Sequence, residues 1–236
     1  MQPAQHPQPL RTPEQVAAAR EEVVACLEGI GHEHLQEVTA DMAEQLTRCR
    51  TLQDVLAVLP DAENWQLALP SDAVVEKLGG CTPLLWACYG YVDPAVMAYF
   101  LLQPGMQLPW VLEAVHQRSE YVAGVPPHLH PNIGRGKTPL LKCAEASHRQ
   151  GQLEKCSMLL QSGACLTTRN RLGSSILHDV FDTGHVPGAS WVVHHWQATF
   201  PAPDSLHTAK NARNRSALEY AQDNGLDLPE LAQLFE

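Results

Sequence analysis

Gly163-Ala164-Cys165-Leu166-Thr167-Thr168-Arg169-Asn170-Arg171-Leu172-Gly173-Ser174-Ser175-Ile176-Leu177-His178 is the stretch whose reading decides the fold. It spells the end of one helix, a tight turn and the start of another. Gly163 follows the apolar run Met158-Leu159-Leu160. It suits the left-handed position just past a helix C-terminus, where a residue with a Cβ pays about 1–2 kcal/mol. Asn170 and Gly173 are turn residues, the first because its side chain bonds nearby backbone, the second because it accepts positive φ. Ser175 can cap the next helix, since its hydroxyl can satisfy an N–H that the first helical turn leaves without a partner. Leu177 then opens that helix's apolar face.

The same signal recurs along the chain. A shift of 41 residues carries Thr167, Arg169, Asn170, Gly173, Ser175, Leu177 and Gly184 onto Thr208, Lys210, Asn211, Asn214, Ser216, Leu218 and Gly225. The helix start appears again as Gly80-Cys81-Thr82-Pro83-Leu84-Leu85-Trp86-Ala87 and as Gly136-Lys137-Thr138-Pro139-Leu140-Leu141-Lys142-Cys143-Ala144. In both copies a threonine cap precedes a proline at the first helical position, where a missing N–H costs nothing. The second copy runs on through Gly151-Gln152-Leu153-Glu154-Lys155-Cys156 to Leu159-Leu160-Gln161-Ser162-Gly163-Ala164, a second helix ending at the opening stretch.

Recurrence at this spacing is the mark of a repeat architecture. Together these residues resemble ankyrin repeats, whose junction reads G-A-x-hydrophobic-N-x-[KR]-D-x-x-G-x-T-P-L-H. Thr167 stands where that family prefers Asn, Asn170 stands for Asp, Ser175 for Thr and Ile176 for Pro. The resemblance implies an all-α fold, an ankyrin-repeat solenoid of stacked helix pairs over residues 79–236. The repeats are 79–105, 136–166, 173–200 and 214–236. Their markers Thr82, Thr138, Ser175 and Ser216 stand 56, 37 and 41 residues apart, against about 33 for ankyrin. The first interval therefore carries a long insertion, 106–135. Repeat two holds about four extra residues between Glu145 and Gln150 by the same standard. The second helix of repeat three is expected over Ala189 to Thr199.

Residues 1–11 are rich in Pro and Gln and read as a disordered tail. Thr12-Pro13-Glu14-Gln15 starts a helix with Val16, Ala19, Val23 and Leu27 on one face. A second helix is expected with Leu35, Val38, Met42 and Leu46 on one face, and a third from Thr51 to Pro60. One or two further turns follow Ser71. Residues 12–78 do not match the repeat and read as a helical N-terminal cap, because the ends of a stack need a polar cover. Residues 1–78 hold 13 Asp and Glu against 5 Lys and Arg.

Composition narrows the function. No apolar run approaches the roughly 20 residues that cross a bilayer, and no charged-then-apolar leader opens the chain. Seven scattered cysteines fit reduced thiols in a cytoplasm. Arg outnumbers Lys 11 to 5, a compositional hint of a GC-rich genome that leaves open a bacterial effector secreted into a host cell. A net charge of −10 argues against nucleic acid and anionic membranes as partners. No phosphate loop, dinucleotide fingerprint or H-E-x-x-H is present. His128-x-His130 and His194-His195 lack the paired spacing of a zinc site, so no metal or cofactor is expected. Cys81, at a helix start, has an ordinary reading as the variable position before the Thr-Pro pair.

The most telling pattern is charge. The turn segments 132–138, 167–175 and 208–216 hold Arg135, Lys137, Arg169, Arg171, Lys210, Arg213 and Arg215 and no Asp or Glu. The resemblance implies that such turns project side by side as fingers, which would align these cations into a basic ridge. The expected function is non-enzymatic: binding another protein with an acidic surface through the fingers and the concave helix face. Trp86, Tyr89 and Tyr220, on the first helices, are the further candidates for partner contact. The alternative is an enzyme with an unrecognised site in the N-terminal helices or in 106–135, though no acid, base and nucleophile can be assembled there.

Overall fold

The computed structural model describes residues 35–60, 65–68, 70–107, 109–112, 136–170, 172–200 and 208–223, with isolated positions at 21, 25, 229 and 233. The helix expected from Thr12 lies outside these, apart from positions 21 and 25, which are helical. Residues 1–11, most of the insertion (113–135) and most of the last repeat's second helix also lie outside them.

The described chain is mostly helical. Thr39 caps α1 (Ala40–Leu46) by accepting from the Met42 amide at 3.3 Å. The expected helix from Leu35 is thus shorter than its apolar spacing suggested. Its first residues are extended instead, as β1 (Gln36–Glu37), parallel to β2 (Trp65–Gln66). Leu35 and Val38 stand three apart, a helical spacing, but the Thr39 cap starts the helix only after them. Thr51 and Asp54 form a reciprocal capping box at the start of α2 (Leu52–Val58), as the Thr-Leu-Gln-Asp order predicts. Ser71 caps α3 (Asp72–Lys77).

Three helix pairs follow. They are α4 (Pro83–Ala87) with α5 (Pro94–Leu101), α7 (Pro139–Glu145) with α8 (Gln152–Gln161), and α9 (Ile176–Phe181) with α10 (Val186–Thr199). A single turn, α6 (Pro109–Leu112), lies between the first two pairs, and α11 (Ala217–Asp223) falls at the start of the segment 214–236 expected as the last repeat. α10 starts three residues earlier than expected, because Pro187 in its first turn sets helical φ.

Thr82 and Thr138 cap α4 and α7, accepting from the Leu85 and Leu141 amides at 3.3 and 3.4 Å. The helices of each pair pack together, and α4, α7, α9 and α11 touch in chain order. α5 packs on both α8 and α2. One apolar core runs from Val38 to Ala221, including Leu84, Leu140, Ile176, Leu177 and Ala217 at 0–1% exposure. The N-terminal helices therefore share the core of the helix pairs. Among the described residues no strand follows residue 66, and no helix is long and apolar enough to cross a membrane.

Candidate interaction surface

The two described turns are built alike, atom for atom. The Asn170 side-chain oxygen accepts from the Leu172 and Ser174 amides at 2.9 and 3.1 Å. The Asn211 oxygen accepts from Arg213 and Arg215 at 2.9 and 3.2 Å. The Asn170 amide donates to Ser174 O and the Asn211 amide to Arg215 O, at 3.0 and 2.9 Å. Gly173 and Asn214 hold matching positive φ of 68° and 58°. This is the 41-residue register of the sequence expressed in hydrogen bonds. The turns are also joined, since the Ala212 amide donates to Leu172 O at 2.6 Å.

His178 ties the joint from below. The Ser175 N–H donates to its Nδ1 at 3.2 Å, so Nδ1 is an acceptor and the proton sits on Nε2. Nε2 donates to Arg215 O of the next turn at 3.0 Å. Burial holds the imidazole pKa down, which keeps this neutral tautomer. Glu219 stands at the same register and does the same local job, accepting from the Ser216 amide at 2.7 Å. Neither group is left for chemistry.

The expected basic residues divide into groups. Lys210, Arg213 and Arg215 are exposed. Arg215 pairs with Asp223 at 2.8 Å and Lys210 approaches Glu219 at 3.9 Å. Among the described residues no carboxylate pairs with Arg213. It borders a small cleft between the turns together with Leu172, His178 and Tyr220. Tyr220 is half-buried, its ring centroid 6.2 Å from that of His178. Arg169 is half-buried and bonds the Gly173 carbonyl at 2.9 Å and the Lys210 carbonyl at 3.5 Å. It staples the turns together rather than facing outward. Arg135 and Arg171 lie outside the described residues.

Two candidates are corrected by burial. Lys137 is 7% exposed. Its ammonium pairs with Asp179 at 2.7 Å and Glu145 at 3.0 Å, and Lys142 pairs with Glu145 at 2.8 Å. Lys137 therefore links α7 to α9 from inside and is not part of an exposed ridge. Burial by itself would raise the Glu145 carboxyl, but the two ammonium groups overcome it and hold the pKa at about 2. Trp86 is 2% exposed and packs 6.1 Å from Phe100, so it is a core residue with no surface for a partner. Tyr89 is half-buried and stacked on Tyr91.

Sequence reasoning passed over Lys155. It is fully buried and its Nζ donates to the carbonyls of Ala87, Tyr89 and Val92 at 2.8, 3.0 and 2.6 Å. It thereby ties together carbonyls at the end of α4 and in the connection to α5. The available signal was a lysine four residues before Leu159, on the apolar face of α8. Of the histidine pairs, His128 and His130 lie outside the described residues. His195 Nδ1 donates to Trp191 O at 2.8 Å, which commits that nitrogen to the helix backbone. No group of metal-ligating side chains occurs among the described residues. Cys81 is buried, with its sulfur 3.6 Å from the Tyr89 hydroxyl. No protein-family model matches the chain, and no curated protein matches it.

Proposed function

We propose that the chain is a non-enzymatic interaction module of ankyrin type, with residues 12–78 as its N-terminal cap, that binds an acidic protein surface through its turns. The observation that carries this reading is the duplicated turn. Asn170 and Asn211 organise two identical hydrogen-bonded fingers 41 residues apart, joined by the Ala212 amide and braced by His178. Such a pair fixes the backbone that carries the displayed side chains, so that part of the ordering cost is met before binding. What it displays is Lys210, Arg213 and Arg215, beside Leu172, which is 37% exposed.

An arginine with no described carboxylate next to an apolar side chain and a tyrosine is the composition that carries binding energy at protein interfaces. Arg213 can take a carboxylate through its fork of two N–H groups. Nucleic acid ranks below protein, since a chain of net charge −10 repels a polyanion outside this one ridge. Cytoplasm, of the producing cell or of a host, is the proposed setting. The test is affinity capture from the native source with quantitative mass spectrometry. One protein retained in stoichiometric amount, and lost when salt is raised, supports the reading. Turnover of a small molecule by the purified chain would contradict it.

A further inference from the structure

The connection Tyr89-Gly90-Tyr91, between α4 and α5, gathers cations from three other segments. The Tyr89 and Tyr91 rings stack at 5.5 Å with 13° between their planes. The Arg50 guanidinium stands 4.2 Å from the Tyr91 centroid, and the Lys142 ammonium 5.1 Å from that of Tyr89. Arg149 lies against Gly90, where any Cβ would collide with its side chain. The absence of a side chain at Gly90 is what lets that arginine settle between the two tyrosines in sequence.

The carboxylates nearby are already engaged. Glu145 pairs with Lys137 and Lys142. Asp54 accepts from the Arg50 and Thr51 amides, and Asp93 from the Ala95 amide. Among the described residues, no carboxylate lies within ion-pair distance of Arg50 or Arg149. Both arginines are exposed, and so is Tyr91, at 44%. Arg50 is also held in place, because its Nη1 donates to the Thr47 and Cys49 carbonyls at 2.9 and 2.7 Å. A guanidinium fixed before a partner arrives loses less freedom on binding. Exposed Arg and Tyr side by side are what interface centres are made of.

We infer that this face is a second docking surface, separate from the turns, for an acidic segment of another protein. Carboxylates of that segment meet Arg50 and Arg149, and an apolar side chain lies along the exposed edge of Tyr91. Charge complementarity fixes the choice of occupant: two exposed arginines with no carboxylate in ion-pair range among the described residues, on a chain of net charge −10, favour a short acidic stretch over a second copy of the same acidic chain. Base stacking, which single-stranded nucleic acid needs, has less to use here, since each tyrosine already spends ring surface on the other and on a cation.

The test uses the full chain with Lys210→Glu, Arg213→Glu and Arg215→Glu, which reverses the three exposed finger cations. It is panned against a library of random short peptides, and the recovered peptides are titrated by fluorescence anisotropy. The expected peptides are rich in Asp and Glu around one apolar residue. Their affinity falls by about tenfold or more with Arg149→Glu and with Tyr91→Ala, and weakens as salt rises. Arg50→Glu is the less direct variant, because Arg50 also holds backbone carbonyls. Arg149→Glu with an unchanged melting curve decides. Recovery of no acidic peptides, or of acidic peptides indifferent to Arg149→Glu and Tyr91→Ala, overturns the inference. Tighter binding of a single-stranded oligothymidylate than of any recovered peptide overturns it too. Because the finger cations are already reversed, failure here leaves the finger reading standing, and failure of the fingers leaves this one standing.

Discussion

Lys137 shows how one residue changes meaning between sequence and structure. In a turn segment without acids it reads as an exposed cation, yet it lies buried between Asp179 and Glu145. Its Asp179 partner is 42 residues away, so the pairing depends on how α9 sits against α7, which no local pattern encodes. Removing one partner of a buried ion pair leaves the others desolvated and unmatched. Lys137→Met is therefore expected to destabilise by about 3–5 kcal/mol, read by urea unfolding. The pH dependence follows from Glu145, whose folded pKa of about 2 lies below its ordinary 4.5. A depressed carboxyl pKa gives stability that is complete above the unfolded value and is lost as pH falls through the folded one. Wild type should lose this contribution between about pH 4.5 and pH 2, and Lys137→Met should lose much less across the same window. Identical acid profiles would show that the network carries no linked stability. Asn170 and Asn211, by contrast, were legible from sequence, because an Asx turn is made by residues two and four positions apart. Asn170→Ala strips the partners from two amides and should cost about 1–3 kcal/mol.

At the scale of elements, the helix starts were the clearest part of the sequence. Thr82, Thr138, Ser175 and Ser216 all precede helices; the leucines that follow the first three are buried and Leu218 is half-buried. Capping and apolar spacing are local, so they survive whatever the tertiary arrangement is. The failure at Leu35 has the same origin in reverse. There the i, i+3 spacing read as helix, and the Thr39 cap with the partner strand at Trp65 overrode it. Leu140 and Leu177, at 1% and 0% exposure, belong to the shared core, on α7 and α9, which pack together. Truncating either to alanine should cost about 2–5 kcal/mol, the usual loss for a buried leucine. A change below about 0.5 kcal/mol in thermal or urea unfolding would place the residue on the surface. The Tyr89–Tyr91 cluster was out of reach of such reasoning, since Arg50, Lys142 and Arg149 come from three segments that only packing brings together.

For the whole molecule, on the proposed reading, an excess of acidic residues with exposed cations at the turns serves to select an acidic partner while repelling polyanions at large. Of the seven cations expected in the ridge, Lys210, Arg213 and Arg215 are exposed, Arg169 and Lys137 serve the fold, and Arg135 and Arg171 lie outside the described residues. Reversing the three exposed cations leaves the core untouched, so the melting temperature should stay within about 4 °C of wild type. The most direct measurement is a calorimetric titration of the captured partner into wild type and into Lys210→Glu/Arg213→Glu/Arg215→Glu at low and high salt. The account predicts that the triple reversal weakens binding by about tenfold or more, and that the wild-type affinity falls with salt while the residual affinity of the variant does not. Equal affinity of the two proteins, with equal salt dependence, would contradict it.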